Sequence, residues 1–252
     1  MINVAIDAAK KAGDHAYGYF KNLSEFSRKQ DRSPVTRADI EAEQIAKKII
    51  LKKFPDHDFI GEEQETEISG VSPYKWILDP IDGTRDFIRG LGIWCTLLAV
   101  LKDDQPIIGI AYFPDFNEFY SAEKGKGTYL NGKKINVSHE KSLEESFITL
   151  SSAHHFSLDH NKANQYHEVC IKADMVRSLG SWGFALFFKG KADAYIAGRG
   201  KIWDFAALAV LCEEAGGRWT DFSGEKKLDT NSIILSNGLL HSQILELLNK
   251  AA

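Results

Sequence analysis

The sequence changes character near residue 140, and this change limits the folds that the chain can adopt. Before that point, short β-prone runs separated by turn residues follow a first strand at Trp76, namely 96–101, 107–112 and 118–122. Asn131-Gly132, between two further short runs, is typical of a tight β-hairpin. After residue 140, strand-like and helix-like segments alternate instead. The pattern predicts an α+β half followed by an α/β half.

Two amphipathic helices are predicted before the strands, because apolar residues recur at helical spacing from Ile2 to Phe20 and again after Pro34. In the second half, helices are predicted at 158–171, 182–189 and 205–215, with a last one from residue 241. Strands are predicted between them at 147–150, 175–178, 194–197 and 232–235. We expect subdomains at 1–140 and 141–252 that share one core, because no linker separates them.

The composition excludes several classes of function. The net charge of −4 provides no large basic surface, so nucleic acid is not an expected partner. No stretch approaches the roughly 18 apolar residues that span a bilayer, so no membrane partner is expected either. The three cysteines form no CxxC pair, which argues against a zinc site or a disulfide framework. Together with the absence of a secretion signal in the sequence, these features predict a cytoplasmic protein.

The segment Asp79-Pro80-Ile81-Asp82-Gly83-Thr84 carries the strongest chemical signal. Asp79 ends a short buried strand, and Asp82 follows three residues later across a proline that restricts the backbone. Two carboxylates this close repel each other unless a cation neutralises them, and hard oxygen ligands favour Mg²⁺. Gly83-Thr84 then opens a short helix whose free N–H groups suit a phosphate. The alternative is that both aspartates are only turn and cap residues.

Two more acidic segments strengthen the metal hypothesis. Glu62 follows a strand-like run, and Asp204 lies at the start of a strongly apolar helix. Taken singly, Glu62 could be an exposed loop acid and Asp204 a plain helix N-cap. A metal site beside a phosphate-binding turn is the combination that phosphoryl hydrolysis requires.

Three motifs together resemble the inositol monophosphatase family, in order and in spacing: Gly61-Glu62-Glu63, the segment 79–84, and Trp203-Asp204-Phe205-Ala206-Ala207. The resemblance extends over almost the whole chain and implies a layered αβαβα sandwich, a homodimer and lithium sensitivity. It also implies two to three Mg²⁺ ions. Glu62, Asp79 and the carbonyl of Ile81 would hold the first, Asp79, Asp82 and Asp204 the second, and a third would lie near Glu62.

The resemblance further assigns the phosphate and the attacking water. The backbone amides of Gly83 and Thr84 would bind the phosphate, and Thr84, with Asp39 behind it, would orient the water. Glu62 is also counted among the catalytic residues, because it would hold a metal ion. Thr36 and Asp39 also fit a capping box at the start of the second helix, and the two roles of Asp39 are compatible.

At a position that contacts the substrate in the inositol-directed members, this sequence differs from them. Those members carry a glutamate seven positions before the aspartate of the WD motif. Here that position is Ala197. Asp86-Phe87-Ile88-Arg89-Gly90 instead resembles histidinol-phosphate phosphatases of the same superfamily. Ser181 falls where the family's substrate loop begins, and Arg199 follows Ala197, so both are predicted to bind substrate. Arg199 could equally be a solvated surface cation.

The resulting prediction is a Mg²⁺-dependent phosphomonoesterase acting on a small soluble phosphate ester. Histidinol phosphate, fructose 1,6-bisphosphate and 3′-phosphoadenosine phosphate are alternative substrates on the same fold. A protein of a different class, a non-catalytic binding or regulatory protein, would be expected to lack a metal carboxylate. All the motif acids are present.

Overall fold

The computed structural model describes residues 1–20, 26–29, 34–63 and 72–250. Two antiparallel helices, α1 (Ile2–Phe20) and α2 (Arg37–Lys53), form the first layer. The buried face of α1 consists of small residues, which let the helices approach closely: Ala5, Ala8, Ala9, Ala12, Gly13 and Ala16. The short strands β1 (Ser27–Arg28) and β2 (Pro34–Val35) pair with each other beside them.

The second layer, within the described ranges, is a seven-stranded sheet in the order β3-β4-β5-β6-β7-β8-β9. Its strands are β3 (Asp58–Gly61), β4 (Tyr74–Asp82), β5 (Cys95–Lys102), β6 (Gln105–Phe113), β7 (Glu118–Glu123), β8 (Gly127–Leu130) and β9 (Lys133–Ile135). β3 pairs parallel to β4, and all the other pairs are antiparallel. The predicted hairpin at Asn131-Gly132 joins β8 to β9, and both residues have positive φ. The helix α3 (Thr84–Phe87) follows the end of β4.

Two helices form the third layer, between the sheets: α5 (Trp182–Phe188) and α6 (Ile202–Glu214). The α6 residues from Phe205 to Cys212 are all buried, because one side of the helix packs on the large sheet and the other on the second sheet. A helix that is apolar around its circumference is expected only in such an enclosed position.

The fourth layer is a five-stranded mixed sheet among the described residues, in the order β11-β10-β12-β14-β13. It comprises β10 (Phe147–Leu150), β11 (Met175–Arg177), β12 (Ala194–Ala197), β13 (Arg218–Thr220) and β14 (Ile233–Ser236). Helices α4 (Ala163–Lys172) and α7 (His241–Asn249) pack on its outer face and complete an αβαβα sandwich. The predicted fold class is therefore confirmed.

One local prediction is wrong. The helix predicted at 158–171 is instead a π-helical turn at His155–Asp159 followed by α4. Asn161 separates them with a φ of +52°, a left-handed conformation that no α-helix contains. β13 was not predicted. The subdomain boundary near residue 140 stays a prediction. No helix in the described part of the chain is long and apolar enough to cross a membrane.

Candidate active site

The end of β4 carries two of the predicted metal ligands on an irregular turn. The pairing of β4 with β5 shifts register between Asp79 and Asp82, where Pro80 removes a backbone donor. The turn is held from both sides, since the Ile81 amide donates to Asp79 Oδ1 at 2.9 Å and the Thr96 hydroxyl donates to the Pro80 carbonyl at 2.8 Å. Both carboxylates are thereby fixed beside the start of α3.

Asp204 reaches the same place from the third layer. It is the third residue of α6 rather than its N-cap, which is Lys201, so the plain N-cap alternative is wrong. Its Oδ2 accepts a 2.5 Å hydrogen bond from the Lys201 amide, which orients the carboxylate. One oxygen from each of Asp79, Asp82 and Asp204 lies within 4.8 Å of the others. The structure therefore brings Asp204 together with two acids that precede it by more than 120 residues in the sequence.

The three carboxylates are electrostatically strained without a cation. Burial raises the pKa of Asp79 well above its usual value, and the charges of Glu62, Asp82 and Asp204 raise it further. Burial likewise raises the pKa of Asp204, with the Asp82 charge as the next cause. The pKa of Asp82 rises to about 6, again chiefly through burial. Such a group binds either protons or a metal ion.

Glu62 lies next to this cluster but is held by a lysine. Lys29 Nζ bonds to Glu62 Oε1 at 2.7 Å and to Glu63 Oε1 at 2.8 Å. Burial alone would lower the pKa of Lys29, but the two carboxylates raise it overall. The pKa of Glu63 rises to about 8, first because the group is buried and then because of the Glu62 charge. Glu62 is thus close enough to act on the cluster electrostatically, and it is not an isolated loop acid.

Thr84 and Asp39 meet as the resemblance implies. Thr84 Oγ1 lies 3.0 Å from the Ile81 carbonyl and 3.4 Å from Asp39 Oδ1. The capping box is also present, because Thr36 caps α2 and its backbone N–H donates to Asp39 Oδ2 at 2.7 Å. Burial raises the pKa of Asp39 to about 6, although the bonds from Thr36 oppose the shift. One oxygen of Asp39 serves the cap and the other faces Thr84.

Ser181 stands where the substrate loop was predicted. Its hydroxyl donates to the Asp82 carbonyl at 3.3 Å, and a Cβ on Gly83 would lie 3.0 Å from the same hydroxyl oxygen. Gly83 has a φ of +91°, so glycine satisfies both the conformation and the close approach. Trp182 packs at the edge of the core and stacks on Phe116 with ring centroids 3.9 Å apart.

Arg199 is exposed and forms a two-pronged ion pair. Its Nε and one Nη each bond to a carboxylate oxygen of Asp159 at 2.7 Å. Asp159 ends the π-helical turn, so this pair ties that turn to the loop before α6. Much of the Arg199 charge is offset locally, and its predicted role in substrate binding stays a prediction.

Two residues near the site, Glu43 and Lys29, were missed by sequence reasoning. Glu43 is fully buried and accepts a 2.8 Å bond from the Glu63 amide. Its position four residues after Asp39, on the same helical face, was a usable signal. Lys29 gave no such signal, because its contacts depend on loops that meet only in the folded chain.

Comparisons with known proteins agree with this geometry. The model of the inositol monophosphatase family matches residues 1–252. A histidinol-phosphatase of Chlorobaculum parvum is 32% identical, over 97% of this chain and 95% of its own length. A fructose-1,6-bisphosphatase/inositol-1-monophosphatase of Aquifex aeolicus is 34% identical, over 88% and 84% respectively.

Among solved structures, the extragenic suppressor protein suhB of Bartonella henselae has a TM-score of 0.91 at 29% identity, covering 99% of this chain and 98% of that one. The family model covers the whole chain. The acidic cluster combines Asp79 and Asp82 with Asp204, which lies much later in the sequence. The chain therefore belongs to the inositol monophosphatase family and is a phosphoric monoester hydrolase.

Proposed function

We propose that the protein hydrolyses a small phosphate ester with Mg²⁺ as cofactor and water as the nucleophile. The observation that carries this proposal is the group of three carboxylates, Asp79, Asp82 and Asp204, with oxygens within 4.8 Å of one another. Three such groups at this separation are costly unless a cation lies between them.

The donor set fits Mg²⁺ rather than a softer metal, because it consists of carboxylate oxygens. Asp79, Asp82 and Asp204 would hold one ion. Asp79, Glu62 and the carbonyl of Ile81 would hold another, as the family resemblance implies. When bound, Mg²⁺ lowers the pKa of water and stabilises charge on the phosphoryl oxygens. A third ion near Glu62 would compete with Lys29, whose ammonium already bonds to that carboxylate at 2.7 Å.

The chain's own residues would then bind the phosphate and orient the attacking water. The Gly83 and Thr84 amides lie in the turn beside Asp82 and would donate to phosphate oxygens. Thr84 Oγ1 would accept a hydrogen bond from the water while its proton points to Asp39 Oδ1 or to the Ile81 carbonyl. Positioning and proton transfer of this kind contribute roughly 10²–10⁴-fold to rate.

The test is phosphate release from inositol 1-phosphate, histidinol phosphate, fructose 1,6-bisphosphate and 3′-phosphoadenosine phosphate, with Mg²⁺ and with excess chelator. We expect release to require Mg²⁺, and Mg²⁺ to raise the midpoint of thermal unfolding of the wild type. Release that persists undiminished in chelator would contradict the metal mechanism. An unfolding midpoint indifferent to Mg²⁺ would contradict the assignment of the ligands.

Histidinol phosphate is the second candidate substrate. Ala197, at the end of β12, offers no side-chain acceptor for ring hydroxyls, which removes an advantage of inositol phosphate. A relative that matches 97% of this chain is named a histidinol-phosphatase. Homodimer assembly, cytoplasmic location and lithium sensitivity stay predictions. Sedimentation would test the assembly, and titration of the activity with lithium would test the sensitivity.

A further inference from the structure

Glu43 is a fully buried acid beside the active site that the mechanism does not use. It lies on α2, and its side chain has no exposed surface. Taking a carboxylate out of water is costly unless its oxygens accept hydrogen bonds. One such bond comes from the backbone amide of Glu63, which donates to Glu43 Oε2 at 2.8 Å. The acid is therefore joined to the turn after β3 that carries Glu62.

The same carboxylate also contacts this segment on the other side of Glu62. A Cβ placed on Gly61 would collide with the Glu43 carboxylate, so the acid packs directly against the Gly61 backbone. The amide of Glu62 itself donates to the Leu78 carbonyl at 3.1 Å, at the residue before Asp79. The backbone of Glu62 is thus held between Glu43 on one side and β4 on the other.

The position of Glu62 matters to the acidic cluster. Burial is the first cause of the raised pKa values of Asp79, Asp82 and Asp204, and the charge of Glu62 raises all three further. β3 ends at Gly61, so strand pairing does not fix the turn from which the Glu62 side chain projects. A metal ligand on such a turn depends on neighbouring hydrogen bonds for its orientation.

Helix α2 carries a second acid with a similar task. Asp39 is also fully buried, and its Oδ1 lies 3.4 Å from Thr84 Oγ1. Glu43 follows four residues later, so the two carboxylates share one face of the helix. The same face therefore supports the threonine that would orient the water and the glutamate that would hold a metal ion.

We propose that Glu43 is a positioning residue for the metal ligand Glu62, which it orients through the backbone on either side of that ligand. This inference rests on the proposed function, because Glu62 is a ligand of the proposed Mg²⁺ site. Residues that orient a metal ligand typically contribute about 10–100-fold to metal affinity. Loss of the Glu43 acceptor should therefore weaken Mg²⁺ binding although Glu43 itself binds no metal.

Two substitutions at Glu43 test the hydrogen bond to the Glu63 amide. Glu43→Gln keeps an oxygen that accepts this bond, whereas Glu43→Leu fills a similar volume and offers no acceptor. We expect Glu43→Leu to raise the Mg²⁺ concentration for half-maximal phosphate release about tenfold or more, with a much smaller change in kcat at saturating Mg²⁺. Glu43→Gln should restore most of the loss.

The assay uses the ester that the wild type hydrolyses fastest among the four named above. The rise of the unfolding midpoint on titration with Mg²⁺ alone measures the same change in affinity without a substrate. Neither the half-maximal concentration nor this rise depends on how much of the variant is recovered folded.

Asp193→Leu is the matched control for lost stability. Asp193 is also buried, and its Oδ2 accepts a 2.7 Å bond from the amide of Phe147 in the five-stranded sheet. It precedes β12 and lies at the opposite end of that strand from Ala197. The control removes the same kind of bond, so we expect it to lower stability and to leave the Mg²⁺ requirement unchanged.

Gly61→Ala approaches the same contact from the other side. Its added Cβ would displace the Glu43 carboxylate, so we expect this variant also to require more Mg²⁺. If Glu43→Leu does not fold, Gly61→Ala decides the question.

The outcomes separate this inference from the function on which it rests. A wild-type Mg²⁺ requirement in Glu43→Leu or in Gly61→Ala would show that Glu43 supports the fold alone. The inference is also wrong if Asp193→Leu raises the requirement equally, or if Glu43→Gln is no better than Glu43→Leu. In each of these cases the phosphatase function stands. Phosphate release by the wild type that needs no Mg²⁺ would instead contradict the proposed function.

Discussion

Replacing Asp82 with asparagine should stabilise the metal-free protein while it abolishes turnover. The substitution keeps the size of the side chain and removes one of three negative charges from the cluster. In the absence of Mg²⁺ those charges repel one another, so the wild type should be less stable than the variant. In the presence of Mg²⁺ the order should reverse, because the variant has lost a charged ligand.

The magnitude follows from the spacing of the cluster. Two full charges 4.8 Å apart repel by about 3 kcal/mol at an effective dielectric constant of about 20. Asp82 takes part in two such pairs, one with Asp79 and one with Asp204. The pKa values of all three acids are raised, so bound protons remove part of the repulsion near neutral pH. We therefore expect a gain of about 1–3 kcal/mol in the unfolding free energy of the metal-free protein.

Urea unfolding at pH 7.5, in chelator and again in excess Mg²⁺, measures both effects in the same protein. Asp103→Asn controls for the loss of a negative charge far from the site, because Asp103 is exposed in the turn between β5 and β6. This variant should behave as the wild type in both buffers. The reasoning would be refuted if Asp82→Asn were equal to or less stable than the wild type in chelator. Near wild-type kcat in saturating Mg²⁺ would show that Asp82 is not a ligand.

The remaining predictions concern three other positions. Thr84→Ala should lower kcat by roughly 10²–10⁴-fold while changing the Mg²⁺ concentration for half-maximal activity much less, as steady-state kinetics can show. Burial lowers the pKa of His241 to about 4, so its contribution to stability is complete above pH 6.5 and is lost as the pH falls. Between pH 7 and pH 5 this loss should be about 2 kcal/mol, and His241→Asn should remove that part of the pH dependence of unfolding. Gly61→Ala should destabilise the fold by about 1–3 kcal/mol in urea unfolding, because the added Cβ would lie 2.3 Å from the carboxylate of the buried Glu43.

The acidic cluster was predictable because each member lies where an element begins or ends. Asp79 and Asp82 interrupt the end of a buried strand, and Asp204 directly precedes the apolar stretch of α6 from Phe205 to Cys212. A charged residue at such a position breaks an apolar run in the sequence and can therefore be recognised from the sequence alone. That these ends meet in space does not follow from periodicity, however, and it was inferred from the resemblance of three motifs to one family.

The break before α4 was not predictable by the same means. Apolar spacing continues across it, and only the left-handed conformation of Asn161 ends the helical path. Asparagine adopts this conformation more readily than most residues, but it also occurs within helices. Lys29 illustrates a second limit. Its ion pairs with Glu62 and Glu63 join the residue after β1 to a turn 33 and 34 residues later, and nothing in the local sequence specifies that distance in space.

The enclosure of α6 between two sheets has a consequence for how proteins of this architecture can diversify. The helix that presents Asp204 contacts both sheets, so almost any substitution along it disturbs the spacing of the cluster. The segments that are predicted to bind the substrate, the turn at Gly180 and the loop at 198–201, are built differently. These segments lie at the ends of elements, where replacements leave the layers in place. New substrates can thus be acquired by exchanging a few surface side chains while the hydrolytic machinery is inherited unchanged.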